Sequence, residues 1–241
     1  LERDAPDPDN MMTQEQVQLL LAANALLQRS GDVNVTQNGR PMAGRSIVAT
    51  ARNLATGLVF QNNARGPVWR SMMRAGAPLT APPAMSGGYT LSKEIYRLDG
   101  SRADLNSIRQ GDRVVVVLSG QPEGARTYPT VLVDLLPAGL EIESLLSPSD
   151  GAANSDYPDA GGNGPFAWIG RITYNNVAEA RDDRFVASAN LHAETFRYAY
   201  IARAVTPGRF TMPAAQVEDM YHPGVMSRTS TGVISIAPRG G

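Results

Sequence analysis

The chain contains no cysteine. Disulfides, zinc–thiolate sites, cysteine nucleophiles and iron–sulfur clusters are therefore excluded. The compartment cannot be read from this, because many exported proteins lack cysteine too. Histidine is almost as scarce, with His192 and His222 alone. Lysine occurs once, at Lys93, against 21 arginines spread along the chain without a basic block. With 19% charged residues and a formal net charge of -1, the chain has no electrostatic footprint for nucleic acid or anionic lipid. No apolar stretch approaches the length needed to cross a bilayer, so direct membrane insertion is not expected. No signal peptide stands at Leu1; Glu2 to Asn10 reads as a polar linker, and any export signal is expected upstream.

What is present is 42% apolar residues in 241 positions, enough for one large domain or for a medium domain plus a smaller piece. One segment reads as a helix. Thr13 to Arg29 opens on Thr13-Gln14-Glu15-Gln16, a capping box, continues through Val17, Leu19 to Ala23, Leu26 and Leu27, and stops at Ser30-Gly31. Apolar residues surround most of it, which calls for neighbours on most sides. After Gly31 short β-like runs alternate with Gly, Asn and Pro. The first set comprises Val33 to Gln37, Ser46 to Ala51, Leu58 to Gln61 and Val68 to Arg74, with Trp69 as a packing anchor. Gly76 to Pro83 reads as an extended linker. The second set comprises Tyr89 to Leu98, Arg113 to Ser119, Thr130 to Leu136, Leu140 to Leu145, Arg184 to Asn190, Phe196 to Val205, Arg209 to Met212 and Gly232 to Ile236. Val114 to Leu118 is apolar on both strand faces, as a central, covered strand would be. Ser147 to Pro165 reads as a long loop, and Asn175 to Asp182 as a short helix. The fold class implied is mainly β: an antiparallel sandwich preceded by a partial β-domain and one N-terminal helix.

The chemistry of an enzyme finds little footing. There is no G-x-S-x-G elbow, no phosphate-binding loop and no dinucleotide fingerprint. His192 follows a β-run and His222 sits before Pro223-Gly224, both structural contexts. Glu141 and Glu143 share a strand face, where solvated charge is ordinary. Asp182-Asp183 abuts a strand start, where capping is ordinary. The acidic loop with Asp150, Asn154, Asp156 and Asp159 offers hard oxygen ligands but lacks the EF-hand spacing, and reads as a solvated loop. No catalytic residue, no metal site and no cofactor is assigned.

An ordered series of motifs is similar to the C-terminal macroglobulin-like domain of bacterial alpha-2-macroglobulins. It runs through Tyr96-Arg97-Leu98-Asp99-Gly100, Gln110-Gly111-Asp112 into Val114 to Val117, and Val133-Asp134-Leu135-Leu136-Pro137-Ala138-Gly139-Leu140. It continues with Asp182 to Ala187, Tyr200 to Gly208 and Val217-Glu218-Asp219-Met220-Tyr221. Gly66-Pro67-Val68-Trp69-Arg70 through Gly76 and Pro78 resembles the end of the CUB domain of that family. The resemblance implies three parts: residues 1–31 as the terminal helix of a helical domain, 32–86 as the second part of a CUB-like domain, and 87–241 as a macroglobulin-like sandwich of Ig type.

It also implies a non-catalytic module of a protease-trapping inhibitor of the cell envelope, periplasmic, with an inner-membrane lipid anchor outside this chain. The partners implied are upstream domains of the same protein and target proteases reached through the intact molecule; a penicillin-binding protein is admitted as a further one. Members of the family carry an internal thioester in a Cys-x-Glu-Gln sequence. Here Gln14-Glu15-Gln16 follows Thr13, so no thioester forms there. In thioester-bearing relatives a Met-Tyr pair from this domain covers the thioester, and the matching positions are Met220 and Tyr221. Ordinary packing beneath the Pro223-Gly224 turn is the alternative for that pair; a cover would be exposed in this chain and a core pair buried. For the chain as a whole, an Ig-like cell-surface adhesion or binding module is the alternative.

Overall fold

The computed structural model describes all residues except 1–10, 30–33, 43, 69, 74, 77, 153–163, 175–176 and 240–241. Two compact units divide the chain, residues 1–77 and 78–241.

In the first unit, helix α1 (Thr13–Arg29) begins where the sequence places it, but its cap lies one residue earlier than the Thr13–Gln16 box. Glu15 Oε2 accepts from Met12 N–H at 2.8 Å, a carboxylate at the positive end of the helix. The side chains of Leu20, Leu21, Leu26 and Leu27 are exposed. Three short strands, β1 (Val35–Gln37), β2 (Arg40–Pro41) and β3 (Phe60–Asn62), form an antiparallel sheet in the order β2-β1-β3. Asn38 and Gly39 join β1 to β2 with φ of 49° and 79°, the left-handed pair that a two-residue hairpin needs. Ser46 to Ala51 is not a strand. Instead α2 (Ala51–Ala55) starts there, its entry fixed by Asn53 Oδ1 accepting from Thr50 N–H at 3.1 Å. Val68 and residues 70–73 carry no strand either, and Met72 and Met73 stand in solvent. An apolar run becomes a strand where a neighbour takes its backbone hydrogen bonds, and alternation alone does not supply one. Trp69 lies outside the described residues.

The second unit is a β-sandwich. Its larger sheet contains β7 (Tyr128–Leu135), β9 (Val177–Ala180), β10 (Arg184–Leu191), β13 (Ala215–Asp219) and β14 (Met226–Arg228), in the order β14-β13-β7-β10-β9. The facing sheet contains β4 (Tyr89–Tyr96), β6 (Arg113–Pro122), β8 (Leu140–Leu145) and β11 (Phe196–Ala204), in the order β4-β6-β11-β8. A third sheet joins β5 (Ile108–Arg109), β12 (Gly208–Met212) and β15 (Gly232–Ala237), with β5 parallel to β15. The short helix read over Asn175 to Asp182 is β9 over its described part. Val177–Ala180 pairs antiparallel with β10, Ala180 opposite Phe185, and this pairing overrides the modest helix preference of Ala and Glu.

The core is packed between the sheets around Tyr89, Leu132, Phe185, Phe196, Tyr198 and Tyr200. The five residues Val114 to Leu118 are all buried. Their inner side faces this core, while Val115 and Val117 pack outward against Ile169 and Ile172. A 3-10 turn, Ala167–Ile169, brings Trp168 against Gly100, where a Cβ would meet the indole at 3.0 Å. Glycine is the residue that fits there, and its φ of 87° favours it again.

One polar cluster crosses the sandwich interior. Lys93 Nζ on β4 lies 2.6 Å from Asp134 Oδ1 on β7, and Tyr200 on β11 donates its hydroxyl to Asp134 Oδ2 at 2.7 Å. The Asp134 side chain is fully buried and that of Lys93 is 5% exposed. Burial pushes the Asp134 carboxyl above the ordinary carboxylate value, against the pull of Lys93 and the tyrosine hydroxyl.

Removing one partner of such a pair leaves an uncompensated charge, so Lys93→Met should lower stability by about 3–5 kcal/mol at neutral pH. Lys93→Met with Asp134→Leu should recover most of that loss. The deficit of the single variant has a definite pH dependence. A carboxyl whose folded pKa is raised favours the folded state most below its unfolded value, and that contribution is lost as pH rises through the folded value. Urea midpoints of Lys93→Met should therefore approach wild type as pH falls toward the unfolded carboxyl value, and a deficit that widens on acidification would contradict this assignment.

Candidate functional site

The residues from Met220 to Val225 form the turn between β13 and β14. Along β13 the side chains of Ala215, Val217 and Asp219 point into the sandwich. Asp219 is thus a fully buried carboxylate at the end of a strand, opposite Thr130 of β7. Its charge is met by Arg126, whose Nη2 donates to Asp219 Oδ2 at 2.8 Å. Arg126 comes from the loop between β6 and β7, and its guanidinium carbon lies 4.4 Å from the Tyr128 ring centroid. Tyr128 in turn packs edge-on against Tyr89, with centroids 5.5 Å apart, and donates its hydroxyl to Glu123 O. Tyr89 shares a 2.9 Å hydrogen bond with Thr130. Burial raises its phenol above the usual value.

The other oxygen of Asp219 organises the turn. Oδ1 accepts from the backbone N–H of Tyr221 at 2.9 Å and of His222 at 3.1 Å. This is an Asx-type turn, in which a carboxylate mimics a backbone carbonyl. His222 Nδ1 lies 3.3 Å from Oδ2 and 3.4 Å from Arg126 Nη1. Three backbone bonds close the remainder: Met220 N–H to Pro129 O, Asp219 N–H to Val225 O, and Val225 N–H to His222 O. The backbone of Met220 and Tyr221 is held on both sides, yet their side chains are 48% and 65% exposed. The result is a fixed pair of large apolar groups facing solvent, one polarizable and adaptable, the other flat with a polar tip. Such a pair can exclude water from whatever it is laid against. It supplies no nucleophile.

The other residues singled out from sequence fall elsewhere. His192 is exposed, its Nδ1 3.0 Å from Thr127 Oγ1. The loop between β6 and β7 therefore touches both histidines, His192 through Thr127 and His222 through Arg126. Glu141 and Glu143 are exposed on β8, and Glu143 pairs with Arg113 at 2.7 Å. Asp183 pairs with Arg184, whose hydrogen bonds hold its carboxyl below the usual range. Asp150 Oδ2 accepts from Ser147 N–H at 2.8 Å, the work of a cap. Asn154, Asp156 and Asp159 lie outside the described residues. Among the described residues no group of three or more His, Asp or Glu could hold a metal, and no helix is long and apolar enough to cross a membrane. A shallow groove of about 610 Å³ lies between Leu91, Lys93, Ile95, Arg102, Met212 and Arg228, and neither histidine nor the Met220–Tyr221 pair lines it.

Sequence reasoning did not single out Asp219 and Arg126 as functional. Asp219 was visible as an Asx-turn signal, Asp-Met-Tyr-His before Pro-Gly. Arg126, in the short loop Glu123 to Thr127, carried no signal of its own.

The family model described as "Bacterial Alpha-2-macroglobulin MG10 domain" matches residues 88–224. Alpha-2-macroglobulin of Escherichia coli (strain K12) is 31% identical over 220 residues, covering 88% of this chain and 13% of that protein. The chain thus spans about one-eighth of the length of this curated relative. Native E. coli alpha-2-macroglobulin, solved from domain MG7 to the C-terminus, is similar with a TM-score of 0.58 and 31% identity. The match covers 68% of this chain and 25% of that one. Salmonella alpha-2-macroglobulin reacted with methylamine is similar with a TM-score of 0.70 and 29% identity, over 95% of this chain and 14% of that one.

The turn's geometry separates presentation from packing. Met220→Ala and Tyr221→Ala should each change unfolding free energy by no more than about 0.5 kcal/mol, as exposed positions do. Asp219→Ala should lower it by about 1–3 kcal/mol, since two part-buried backbone donors and a cation lose their acceptor. Urea denaturation of the three variants measures this. A loss with Met220→Ala as large as with Asp219→Ala would mean that the pair is part of the core.

Proposed function

The chain belongs to the bacterial alpha-2-macroglobulin family, and we propose on that footing that it is a non-catalytic module of a protease-trapping inhibitor. In this role Met220 and Tyr221 form a cover over an internal thioester supplied by another part of the molecule. The chain has no cysteine of its own, so the thioester it covers is built elsewhere. The observation that carries this reading is the combination of exposure and fixity in the turn: two large apolar side chains in solvent on a backbone pinned by a buried carboxylate. Large side chains this exposed in their own domain suit an interface made with another domain. A thioester is lost to water and to stray amines, so covering it with a thioether and an aromatic ring preserves it until a target protease cuts the molecule and the cover is withdrawn.

Within this reading, residues 87–241 are the final macroglobulin-like domain, residues 32–86 the second part of a CUB-like domain, and residues 1–31 the last helix of a helical domain. The exposed Leu20, Leu21, Leu26 and Leu27 of α1 support the last assignment, because such a surface belongs against other helices. The intact molecule resides in the periplasm, held to the inner membrane by a lipid outside this chain. There it meets target proteases and, as a further partner, a penicillin-binding protein.

Two measurements test the proposal. In the full-length protein, Met220→Ala with Tyr221→Ala should speed methylamine incorporation by about tenfold or more, equivalent to roughly 1.4 kcal/mol of lost protection. An unchanged rate would remove the covering role. The isolated chain should neither hydrolyse peptides nor block a protease, and saturable hydrolysis abolished by substituting His192 or His222 would overturn the non-catalytic assignment.

A further inference from the structure

We infer that Asp219 is the positioning residue of the Met220–Tyr221 cover: its buried carboxylate aims the pair through the backbone, and the pair's own side chains do not. This inference rests on the covering role proposed above. Three observations carry it. First, Tyr221 is 65% and Met220 48% exposed, so side-chain packing within the domain constrains their direction less than it would for core residues. Second, Asp219 Oδ1 accepts from both Tyr221 N–H, at 2.9 Å, and His222 N–H, at 3.1 Å, and this fixes the backbone from which Tyr221 projects. Third, the two oxygens divide their work. Oδ1 faces the turn, while Oδ2 faces Arg126 at 2.8 Å and His222 Nδ1 at 3.3 Å. A fully buried carboxylate is costly unless both oxygens are satisfied, and here the arginine neutralises the charge while the turn receives the geometry.

The division of labour gives a specific expectation. Asparagine at 219 keeps a carbonyl oxygen for the two backbone donors and loses the charge; alanine loses both. The cover should therefore tolerate Asp219→Asn and fail with Asp219→Ala. A residue that merely stabilised the domain would instead let reactivity follow stability. Lys93→Met supplies the matched comparison, because it destabilises the same sandwich through a different carboxylate, Asp134, whereas Asp219 is paired with Arg126.

The experiment is performed on the full-length protein with methylamine as the probe, together with a thermal midpoint for each variant. Asp219→Ala should raise the rate of methylamine incorporation by about tenfold, toward that of Met220→Ala with Tyr221→Ala. Asp219→Asn should stay within about twofold of wild type, and so should Lys93→Met despite its lower midpoint. If Asp219→Ala reacts at the wild-type rate while the Met220→Ala, Tyr221→Ala protein reacts faster, the positioning role is overturned and the cover stands. If rates in Asp219→Ala, Asp219→Asn and Lys93→Met rise together as midpoints fall, general loosening is the cause and the positioning role is again overturned. If the Met220→Ala, Tyr221→Ala protein is itself unchanged, or no methylamine is taken up by any form, the covering role fails and this inference fails with it.

Discussion

Within the apolar core of the sandwich one buried ion pair, Lys93 to Asp134, ties β4 of one sheet to β7 of the other at 2.6 Å. A chain that uses arginine for its 21 other cations places its one lysine here, where a thin stem and a compact charge fit between two sheets. Neither group can leave alone without stranding the other, so any facing of the sheets that separates the two is penalised. Tyr200 completes the acceptor's needs from β11, so three strands meet at one carboxylate.

The turn rests on a different contact, the pairing of β13 with β7. On β13, Ala215 lies opposite Asp134 and Asp219 opposite Thr130. The strand's inward set is therefore Ala215, Val217 and Asp219, and its solvent-facing neighbours are Gln216 and Glu218. A slip of one residue would turn Glu218 inward and Asp219 out, and the turn would lose its organising carboxylate. Met220 and Tyr221 are presented to solvent because the ladder places an acid, not an apolar residue, at the last inward position. The second unit thus holds two inward carboxylates on adjacent strands. One joins the sheets; the other shapes the loop at the sheet's end.

Much of this was legible in the sequence where burial was two-sided or alternation was long. Val114 to Leu118 declared itself because five consecutive apolar residues leave no face for water. Leu140 to Leu145 and Thr13 to Arg29 match their elements to the residue. The elements that escaped are those whose identity comes from a partner. Ala215–Asp219 contains two acids and one valine, and reads as surface until its pairing with β7 is known. Val177–Ala180 has helix-preferring residues and becomes a strand through β10. In the other direction, Ser46 to Ala51 holds the strand-favouring Ile47, Val48 and Thr50, yet a threonine followed three residues later by asparagine opens a helix instead. The Asn38-Gly39 hairpin is a plain sequence signal, a dipeptide suited to two left-handed residues. Met220 and Tyr221 were reached through resemblance to a family, whereas Asp219 and Arg126 became visible through distance, since their contact joins positions 93 residues apart.

Met220 and Tyr221 are exposed in this chain and, in the proposed role, form an interface in the intact protein. Hydrogen-peroxide oxidation of Met220, followed by mass spectrometry, tests it directly, because thioether oxidation follows solvent exposure. Met220 should oxidise readily in the isolated chain, be protected in the intact native protein, and become reactive again after methylamine treatment or proteolytic activation. Equal oxidation rates in the isolated chain and the intact native protein would contradict the claim.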